Sequence, residues 1–412
     1  MPKQDEINDI ISVIITILNG SKWITNCMQS ILQQTAVKKT NKAQDVTTEA
    51  TKTTPTTPTN ILNKSSSSSS SSIHLNKEER SSKQERNSTT TEVFVEVCVF
   101  DDCSSDCTYE MLGVWQNICK EYDNIAIRIV TNTTGSSKGV GYGRNKAIAA
   151  STGSYLCFQD IDDEMLPGRL LKQYQLAKQY KNAIIGSKFI RIPSNATCRF
   201  TKWANDLSEE KFNLQIFTSN GPTVIMPTWM CYRQVYDRIQ GGFCEDGFGC
   251  PEDLLFFYKH LKQKNSQIKR VNECLVKYRY HSESTTFSVK AATIWNIRLK
   301  YLIENQLQNI PWINGFNIWN AGKQGRRFFR DLPTYEKFKV KAFCDVDKKK
   351  INKNYHYYDL EKRQFTFSIP IIHFTQVKPP LIICMKLDLT NGDFERNLKS
   401  LHLVEGQDYI LF

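Results

Sequence analysis

Short apolar runs alternate with amphipathic segments over most of the 412-residue chain. A buried strand is a short continuous apolar run, whereas a helix repeats its apolar positions every three to four residues. By these criteria we predict strands at residues 12–18, 93–100, 125–131, 155–158, 183–191 and 223–226, and helices at residues 23–33, 108–122, 144–150, 169–180 and 289–307. A further helix is opened by Pro251. The alternation predicts right-handed βαβ units and therefore an α/β fold.

A second alternation, on a smaller scale, begins after Pro311. Strands are predicted at residues 316–320, 340–344, 369–374 and 381–387, with a helix at residues 326–332. We therefore expect an α/β catalytic domain at residues 1–310 and a smaller Rossmann-like domain at residues 311–412. Gly322 and Gly325 mark a turn in the second domain, but Asn320 replaces the first glycine of the dinucleotide fingerprint. A tight strand-to-helix turn is thus favoured there over a nucleotide site.

Residues 38–91 interrupt the first domain with a stretch dominated by Thr, Ser, Asn and Lys, including serines at every position from 65 to 72. Such a composition buries too little apolar surface to offset the entropy lost on ordering. We predict a disordered surface insertion that leaves the strand, helix and strand around it as consecutive parts of one fold.

Composition excludes several classes of protein. A hydrophobic content of 40% is sufficient for a large core. No apolar run approaches the ~20 residues that cross a bilayer, so we expect no membrane span and a cytoplasmic location. The thirteen cysteines include no Cys-x-x-Cys pair, and only six histidines are present. They are expected to be reduced thiols, and no dedicated zinc cage is predicted.

The net charge of +12 is concentrated in part of the chain. Residues 323–363 hold thirteen Lys or Arg against six Asp or Glu. The aromatic residues interleaved with this charge are Phe328, Phe329, Tyr335, Phe338, Tyr355, Tyr357 and Tyr358. Basic and aromatic side chains together suit phosphate contacts and base stacking. The segment is a candidate RNA-binding face, with a solvated basic surface as the alternative.

Polar clusters follow several predicted strands, at the edge where α/β sheets bind ligands. The clusters are Asp101-Asp102-Cys103-Ser104-Ser105-Asp106, Arg144-Asn145 after a glycine-rich loop, Asp160-Ile161-Asp162-Asp163, and Glu252-Asp253 after Pro251. Three crowded carboxylates at residues 160–163 repel one another unless a cation neutralises them, and carboxylate oxygens suit Mg²⁺ or Mn²⁺. His281 is a possible further metal ligand. A solvated acidic turn and ordinary helix capping are the simpler alternatives.

Taken in order, these motifs resemble the family 2 glycosyltransferases, which have a GT-A fold. The resemblance spans residues 10–285 outside the insertion. The motifs are Ser12-Val13-Ile14-Ile15-Thr16 with Asn19-Gly20, Gln33-Gln34-Thr35, Asp101-Asp102-x-Ser104-x-Asp106, Gly141-x-x-Arg144-Asn145, Asp160-x-Asp162-Asp163, Gly241-Gly242-Phe243 and Glu252-Asp253.

The resemblance implies an inverting sugar transfer from a nucleotide-sugar donor. It implies that the donor is bound by Thr16, Asn19, Asp102, Arg144 and Asp160. It also implies that Asp160 and Asp162 hold Mn²⁺ or Mg²⁺, with His281 as the further candidate ligand. Asp253 would be the general base and Glu252 its substitute. An exposed aspartate with a pKa near ~3.9 is a weak base toward an alcohol, so positioning would have to contribute.

Motifs at residues 319–325, 342–347, 369–371 and 400–406 extend the resemblance to those members of the family that galactosylate queuosine in tRNA. This implies UDP-galactose as the donor and queuosine-containing tRNA as the acceptor. Two alternatives stay open. One is a β-1,3-N-acetylglucosaminyltransferase that uses UDP-GlcNAc on a galactose-terminated glycan, which the expected lack of a membrane anchor disfavours. The other is a non-catalytic RNA-binding protein, which the intact acidic motifs disfavour.

Overall fold

A computed structural model of the chain describes residues 9–40 and 93–412. The predicted insertion at residues 38–91 lies outside the described residues, except for its first three positions. The described residues form two β-sheets with helices packed against them, and both sheets lie within one compact unit.

The first sheet has eight strands in the order β3-β2-β1-β4-β7-β6-β8-β5. Its strands are β1 (Asp9–Ile17), β2 (Val93–Asp101), β3 (Ile125–Thr131), β4 (Tyr155–Phe158), β5 (Glu164–Met165), β6 (Ala183–Ile192), β7 (Met230–Tyr232) and β8 (Gln267–Arg279). Strands β3, β2, β1 and β4 are mutually parallel, and β6 is parallel to β8. Strand β7 is antiparallel to both of its neighbours, so the sheet is mixed.

Eight helices belong to this part of the chain as the structure describes it: α1 (Ser21–Leu32), α2 (Thr108–Cys119), α3 (Val140–Ala150), α4 (Arg169–Gln179), α5 (Cys198–Asp206), α6 (Arg233–Asp237), α7 (Glu252–Leu261) and α8 (Ala291–Asn305). Because helices cover both faces of the central strands, those strands are mostly apolar, with Ser12 of β1 and Glu96 of β2 as buried polar exceptions. Alternate residues of β1 face two different cores: Val13 and Ile15 belong to one, and Ile14 belongs to the other.

The second sheet has six strands in the order β11-β12-β10-β9-β13-β14. Its elements are β9 (Phe316–Trp319), α9 (Lys323–Asp331), α10 (Thr334–Lys337), β10 (Val340–Asp345), β11 (Lys353–Asp359), β12 (Gln364–His373), β13 (Leu381–Ile383), α11 (Asp393–Ser400) and β14 (Tyr409–Leu411). All of its neighbouring strands are parallel except β11 and β12, which form an antiparallel hairpin.

One apolar core connects the two sheets. It contains Phe256 of α7 and Leu302 of α8 together with Phe316 of β9 and Phe328 of α9. The C-terminal Phe412 packs against this core, and the centre of its ring lies 6.2 Å from that of Phe217.

The predicted strand at residues 223–226 is wrong. Residues Met226–Thr228 form a 3₁₀ turn, and the strand in this region is β7. Pro227 at the start of that turn lacks the N–H that a sheet would require. The Thr223 hydroxyl donates to the Phe212 carbonyl at 2.9 Å, and the Trp229 indole donates to the Val224 carbonyl at 2.8 Å, which fixes the turn. Helix α3 also begins four residues before its predicted start.

Among the helices of the described ranges, none is long and apolar enough to cross a membrane.

Candidate active site

The loops that leave β1 and β2 are joined by hydrogen bonds at the carboxyl edge of the first sheet. The Asn19 N–H donates to Ser104 Oγ at 2.8 Å, and the Ser105 N–H donates to Asn19 Oδ1 at 2.8 Å. Asn19 has a φ of 51°, a left-handed conformation that asparagine tolerates better than most residues. Asn19 therefore fixes the two loops that form one wall of the candidate site.

Asp102 is buried and organises a third loop, at residues 132–139. Its carboxylate accepts hydrogen bonds from the Asn132 side chain, the Ser137 hydroxyl and the backbone N–H groups of Lys138 and Gly139, at 2.6–3.0 Å. These donors occupy both oxygens in the structure. Binding of the nucleotide-sugar donor by Asp102, as the resemblance implies, stays a prediction.

Two glycines bring α3 close to the rest of the site. A Cβ at Gly143 would lie 2.2 Å from Thr16 Cγ2, and a Cβ at Gly141 would lie 1.9 Å from the Cys244 carbonyl oxygen. Only glycine permits these approaches, which are much shorter than a van der Waals contact. Thr16 Oγ1 is buried at this contact without a hydrogen-bond partner among the described residues.

Arg144, one residue beyond these glycines, links two groups of carboxylates. Its side chain is buried, and its Nη2 lies 3.0 Å from Asp160 Oδ1. Its Nη1 donates to Glu252 Oε1. The guanidinium also lies 5.5 Å from the centre of the Phe243 ring. Arg144 thereby holds the loop after β4 beside the start of α7.

The predicted acidic cluster is present after β4. One carboxylate oxygen from each of Asp160, Asp162 and Asp163 lies within 4.8 Å of the others. His281 Nε2 lies 2.8 Å from Asp162 Oδ2, so the histidine is adjacent to the cluster. The Arg279 N–H donates to Asp163 Oδ1 at 2.8 Å. Asp163 Oδ2 is buried and has no hydrogen-bond partner in the part of the chain that the structure describes.

Electrostatics at this cluster favour a bound cation. Burial raises the pKa of Asp163 well above its usual range, and the carboxylates of Asp162 and Asp160 raise it further. Burial and Asp160 likewise raise the pKa of Asp162, although His281 opposes the shift. A divalent cation would relieve this repulsion, and the unpartnered Oδ2 of Asp163 could serve as one of its ligands. The residues present therefore fit an oxygen-liganded divalent metal.

Asp253 lies in the first turn of α7, next to Glu252. It is partly buried, and its Oδ1 accepts a hydrogen bond from the Leu254 N–H at 2.7 Å. Burial, followed by the Glu252 carboxylate, raises the pKa of Asp253 to about 7, against the opposing effect of Arg144. Local sequence does not predict this shift, because its largest cause is the burial of the carboxylate in the folded chain.

Asn145 is a positioning residue whose role sequence reasoning did not identify. Its Nδ2 donates to the Phe243 carbonyl at 2.9 Å, and its Oδ1 accepts from the Phe243 N–H at 3.0 Å and the Tyr236 hydroxyl at 3.0 Å. Gly242 has a φ of 58° beside it. The Arg144-Asn145 and Gly241-Gly242-Phe243 motifs therefore contact each other through Asn145 and the Phe243 backbone. The presence of both motifs in the sequence was the signal from which this contact could have been predicted.

Arg169 forms a second buried support that motif reasoning did not find. It is fully buried, and its guanidinium donates to Gln159 Oε1 at 2.6 Å and to the Phe158 carbonyl at 2.8 Å. Its Nε donates to Gln173 Oε1 at 3.0 Å. This network fixes the strand end that carries the acidic cluster, and Arg169 lowers the pKa of Asp163.

The sequence model of the family described as Glycosyl transferase family 2 matches residues 82–240. The matched range contains Asp102, Arg144, Asp160 and Asp162, whereas Thr16, Asn19, Glu252, Asp253 and His281 lie outside it. This part of the chain is therefore similar to a family 2 glycosyltransferase domain. The sheet topology and this match confirm the predicted α/β fold, with a GT-A catalytic part and a second, smaller sheet.

Two curated bacterial proteins are similar to parts of the chain. The poly(ribitol-phosphate) beta-glucosyltransferase of Bacillus spizizenii is 32% identical over 98 residues, which are 24% of this chain and 14% of that protein. TuaG of Bacillus subtilis, a glycosyltransferase named for teichuronic acid biosynthesis, is 26% identical over 190 residues, 46% of this chain and 69% of that protein. The chain thus matches only a small part of the first of these relatives.

Solved glycosyltransferase structures show a distant likeness. TarS 1-349 of S. aureus in complex with UDP-GlcNAc is 16% identical, with a TM-score of 0.44 over 72% of this chain and 67% of that chain. The mannosyltransferase PcManGT of Pyrobaculum calidifontis, in complex with GDP-Man and Mn²⁺, is 13% identical, with a TM-score of 0.43 over 73% of this chain and 64% of that chain.

Proposed function

We propose that the protein is an inverting, metal-dependent glycosyltransferase that transfers galactose from UDP-galactose to a hydroxyl of queuosine in tRNA. The observation that carries the catalytic part is the double ion pair of Arg144. This residue joins Asp160, in the cluster suited to a cation, to Glu252, which adjoins a carboxylate of raised pKa. Groups suited to donor binding and to proton removal thus share one edge of the sheet.

Asp253 acts as the general base in this proposal. Its carboxylate takes the proton of the acceptor hydroxyl while the acceptor oxygen forms a bond to the anomeric carbon of the donor. The bond from that carbon to the diphosphate breaks, and UDP leaves with the electron pair. A pKa of about 7 suits a base at neutral pH, because half of the carboxylate is ionised there and its proton affinity is much higher than that of ordinary aspartate.

Asp160 and Asp162 would hold the divalent cation, with Asp163 and His281 adjacent. When bound, the cation would stabilise the negative charge that develops on the departing diphosphate. Arg144 keeps Asp160 in place, and Asp102 fixes the loop at residues 132–139, which would lie beside the nucleotide in this proposal.

The acceptor half of the proposal rests on the hairpin surface, which we define as Lys353, Tyr358, Leu360, Lys362, Arg363 and Phe365 on and between β11 and β12. Phe365 is 68% exposed, and its ring lies 5.3 Å from that of Tyr358. Exposed aromatic rings flanked by Lys and Arg are suited to stacking on unpaired bases and to contacting phosphates. Two of the predicted aromatic contacts are wrong, because Phe328 and Phe329 are fully buried in the core.

A transfer assay tests the proposal directly. Purified protein with Mn²⁺ should transfer radiolabelled galactose from UDP-galactose to queuosine-containing tRNA, and it should leave the same tRNA with guanosine in place of queuosine unlabelled. Parallel reactions contain UDP-GlcNAc and a galactose-terminated glycan. Labelling of the glycan alone would replace the proposal with the N-acetylglucosaminyltransferase alternative. Binding of tRNA with no transfer from either donor would favour a non-catalytic RNA-binding protein.

Phe248 is a candidate acceptor contact close to Asp253 in sequence. It is 88% exposed in the loop before α7, where packing alone gives a large apolar ring no reason to lie. We expect Phe248→Ala to raise KM for tRNA roughly 10-fold, as loss of one base stack would. Its KM for UDP-galactose should stay unchanged. If the variant has the same KM for tRNA as the wild type, Phe248 does not belong to the acceptor site.

A further inference from the structure

We infer that the loop at residues 244–250 binds a thiophilic divalent cation such as Zn²⁺ through Cys244, Asp246 and Cys250. One ligand atom from each of these residues lies within 4.8 Å of the other two. Both cysteines are partly buried, and Asp246 is exposed, so an ion can reach the cluster from solvent. The sequence did not predict this site, because the cysteines are six residues apart and form no Cys-x-x-Cys pair.

The spacing of the three groups suits zinc. In a tetrahedral zinc site with Zn–S bonds of about 2.3 Å, neighbouring ligand atoms are roughly 3.8 Å apart. The ligand atoms of Cys244, Asp246 and Cys250 all lie within 4.8 Å of one another, which is compatible with that value. Three protein ligands leave a fourth position for water. Uptake of the ion would release the two thiol protons to solvent as the thiolates bind the metal.

The donor set separates this site from the acidic cluster. Thiolates select zinc over magnesium and manganese, whereas the oxygens of Asp160, Asp162 and Asp163 have the opposite preference. A disulfide between Cys244 and Cys250 is the rival outcome. It would give the third group, Asp246, no reason to converge on the two sulfur atoms, and so the cluster favours a cation.

The position of the loop gives the cation a structural role. The Cys244 carbonyl abuts Gly141 of α3, and Gly139 would place a Cβ 3.0 Å from Gly247 Cα. The other end of the loop enters α7, which carries Glu252 and Asp253. A cation that ties Cys244 to Cys250 would therefore hold the start of α7 against α3. This role does not depend on which sugar or acceptor the protein uses.

Metal content of the purified full-length chain tests the inference. The protein is reduced, incubated with Zn²⁺, desalted and analysed by mass spectrometry of the metal. We expect about one zinc per chain, less than about a tenth of that in Cys244→Ser or Cys250→Ser, and an affinity lowered by roughly 10–100-fold in Asp246→Asn. The wild-type chain should also develop thiolate-to-cobalt absorption when titrated with Co²⁺.

Matched controls separate this site from other thiols and from the acidic cluster. Cys103→Ser and Cys107→Ser remove two other thiols, which are close to each other in sequence. Asp162→Asn alters the acidic cluster. All three variants should keep the zinc. Zinc retained undiminished by the Cys244 and Cys250 variants would overturn the inference, as would a wild-type chain that holds no zinc.

A second measurement needs no variant and therefore does not depend on folding of the serine substitutions. Zinc should slow alkylation of Cys244 and Cys250 by iodoacetamide, and EDTA should restore it, while the exposed Cys198 reacts at one rate throughout. If Cys244 and Cys250 stay protected from alkylation in EDTA and the mass of the protein is lower by two hydrogens, the two cysteines form a disulfide. That result would contradict a zinc site.

Discussion

Both sheets carry acidic residues at their carboxyl edges, but the two edges differ in how far those acidic residues are neutralised by other groups of the chain. At the second edge, Asp345 is the last residue of β10, and its Oδ2 accepts from the Ala321 N–H at 3.0 Å and contacts Lys350 Nζ at 3.0 Å. A Cβ at Gly325 would lie 1.9 Å from the Asn320 carbonyl oxygen, so the turn before α9 is closed tightly. The chain thus neutralises this edge with its own lysine and backbone.

The first edge is not neutralised in this way. Arg144 compensates Asp160 and Glu252, but Asp163 Oδ2 has no partner among the described residues, and the pKa of Asp253 is raised to about 7. Equivalent positions in two sheets of one chain therefore have opposite character. Unrelieved negative charge distinguishes the first edge, where we propose that a cation binds and the reaction occurs, from the second edge, which its own lysine and backbone neutralise.

The largest expected effect comes from Asp253→Asn. Removing the base should lower kcat roughly 10²–10⁴-fold, because an amide accepts no proton at neutral pH. Binding of tRNA should be unchanged, as measured by filter retention of labelled tRNA. Unchanged turnover in this variant would exclude Asp253 from the mechanism and would remove the main contrast between the two edges.

The pH dependence of kcat/KM should show the raised pKa. Because the base must be ionised, the rate should fall as the pH drops through about 7. The Glu252→Gln variant removes the neighbouring negative charge, so the pKa of Asp253 should fall and the acid limb should move to lower pH. An acid limb that keeps its midpoint in this variant would assign the limb to another group.

Charge reversal on the hairpin surface should have a moderate effect. The triple variant Lys353→Glu, Lys362→Glu and Arg363→Glu should weaken tRNA binding and lower the slope of log K against log salt by about 2–3. The control is Lys120→Glu, Lys264→Glu and Lys300→Glu, three exposed lysines on other elements. If both triple variants lose affinity equally, the hairpin has no special role and only the net charge matters.

The smallest catalytic effect is expected from Asp345→Asn at the second edge. Loss of its contacts with Lys350 and Ala321 should lower the free energy of unfolding by about 1–3 kcal/mol, measured by urea denaturation. The kcat value should remain that of the wild type. A large fall in kcat without a change in stability would show that the second sheet takes part in the reaction.

Sequence patterns predicted the strands well where the chain forms buried parallel strands, as in β1, β2 and β4, because such strands are continuous apolar runs. They failed at residues 223–226. The apolar run there is followed by Pro227 and leads into a 3₁₀ turn. The order of the motifs predicted which residues meet at the first edge. It did not reveal that Asp102 fixes a loop, because that role depends on backbone donors more than thirty residues away.

Contacts between residues far apart in sequence explain the remaining differences between the sequence-based predictions and the structure. Phe328 and Phe329 share a basic, aromatic segment with Tyr358, yet packing of α9 buries the first two and leaves the third exposed. The composition of a segment does not show which of its residues face the core and which face solvent. The raised pKa of Asp253 likewise depends first on burial, which cannot be obtained from local sequence.

Calorimetry of UDP-galactose binding in the presence of Mn²⁺ tests most directly whether the first edge is the donor site. Our expectation is that the wild-type chain and Asp345→Asn bind both ligands, and that Asp160→Asn combined with Asp162→Asn abolishes metal-dependent binding in a chain that remains folded. It would be contradicted if the wild-type chain took up neither ligand, or if the double variant bound the nucleotide sugar with Mn²⁺ as well as the wild type does.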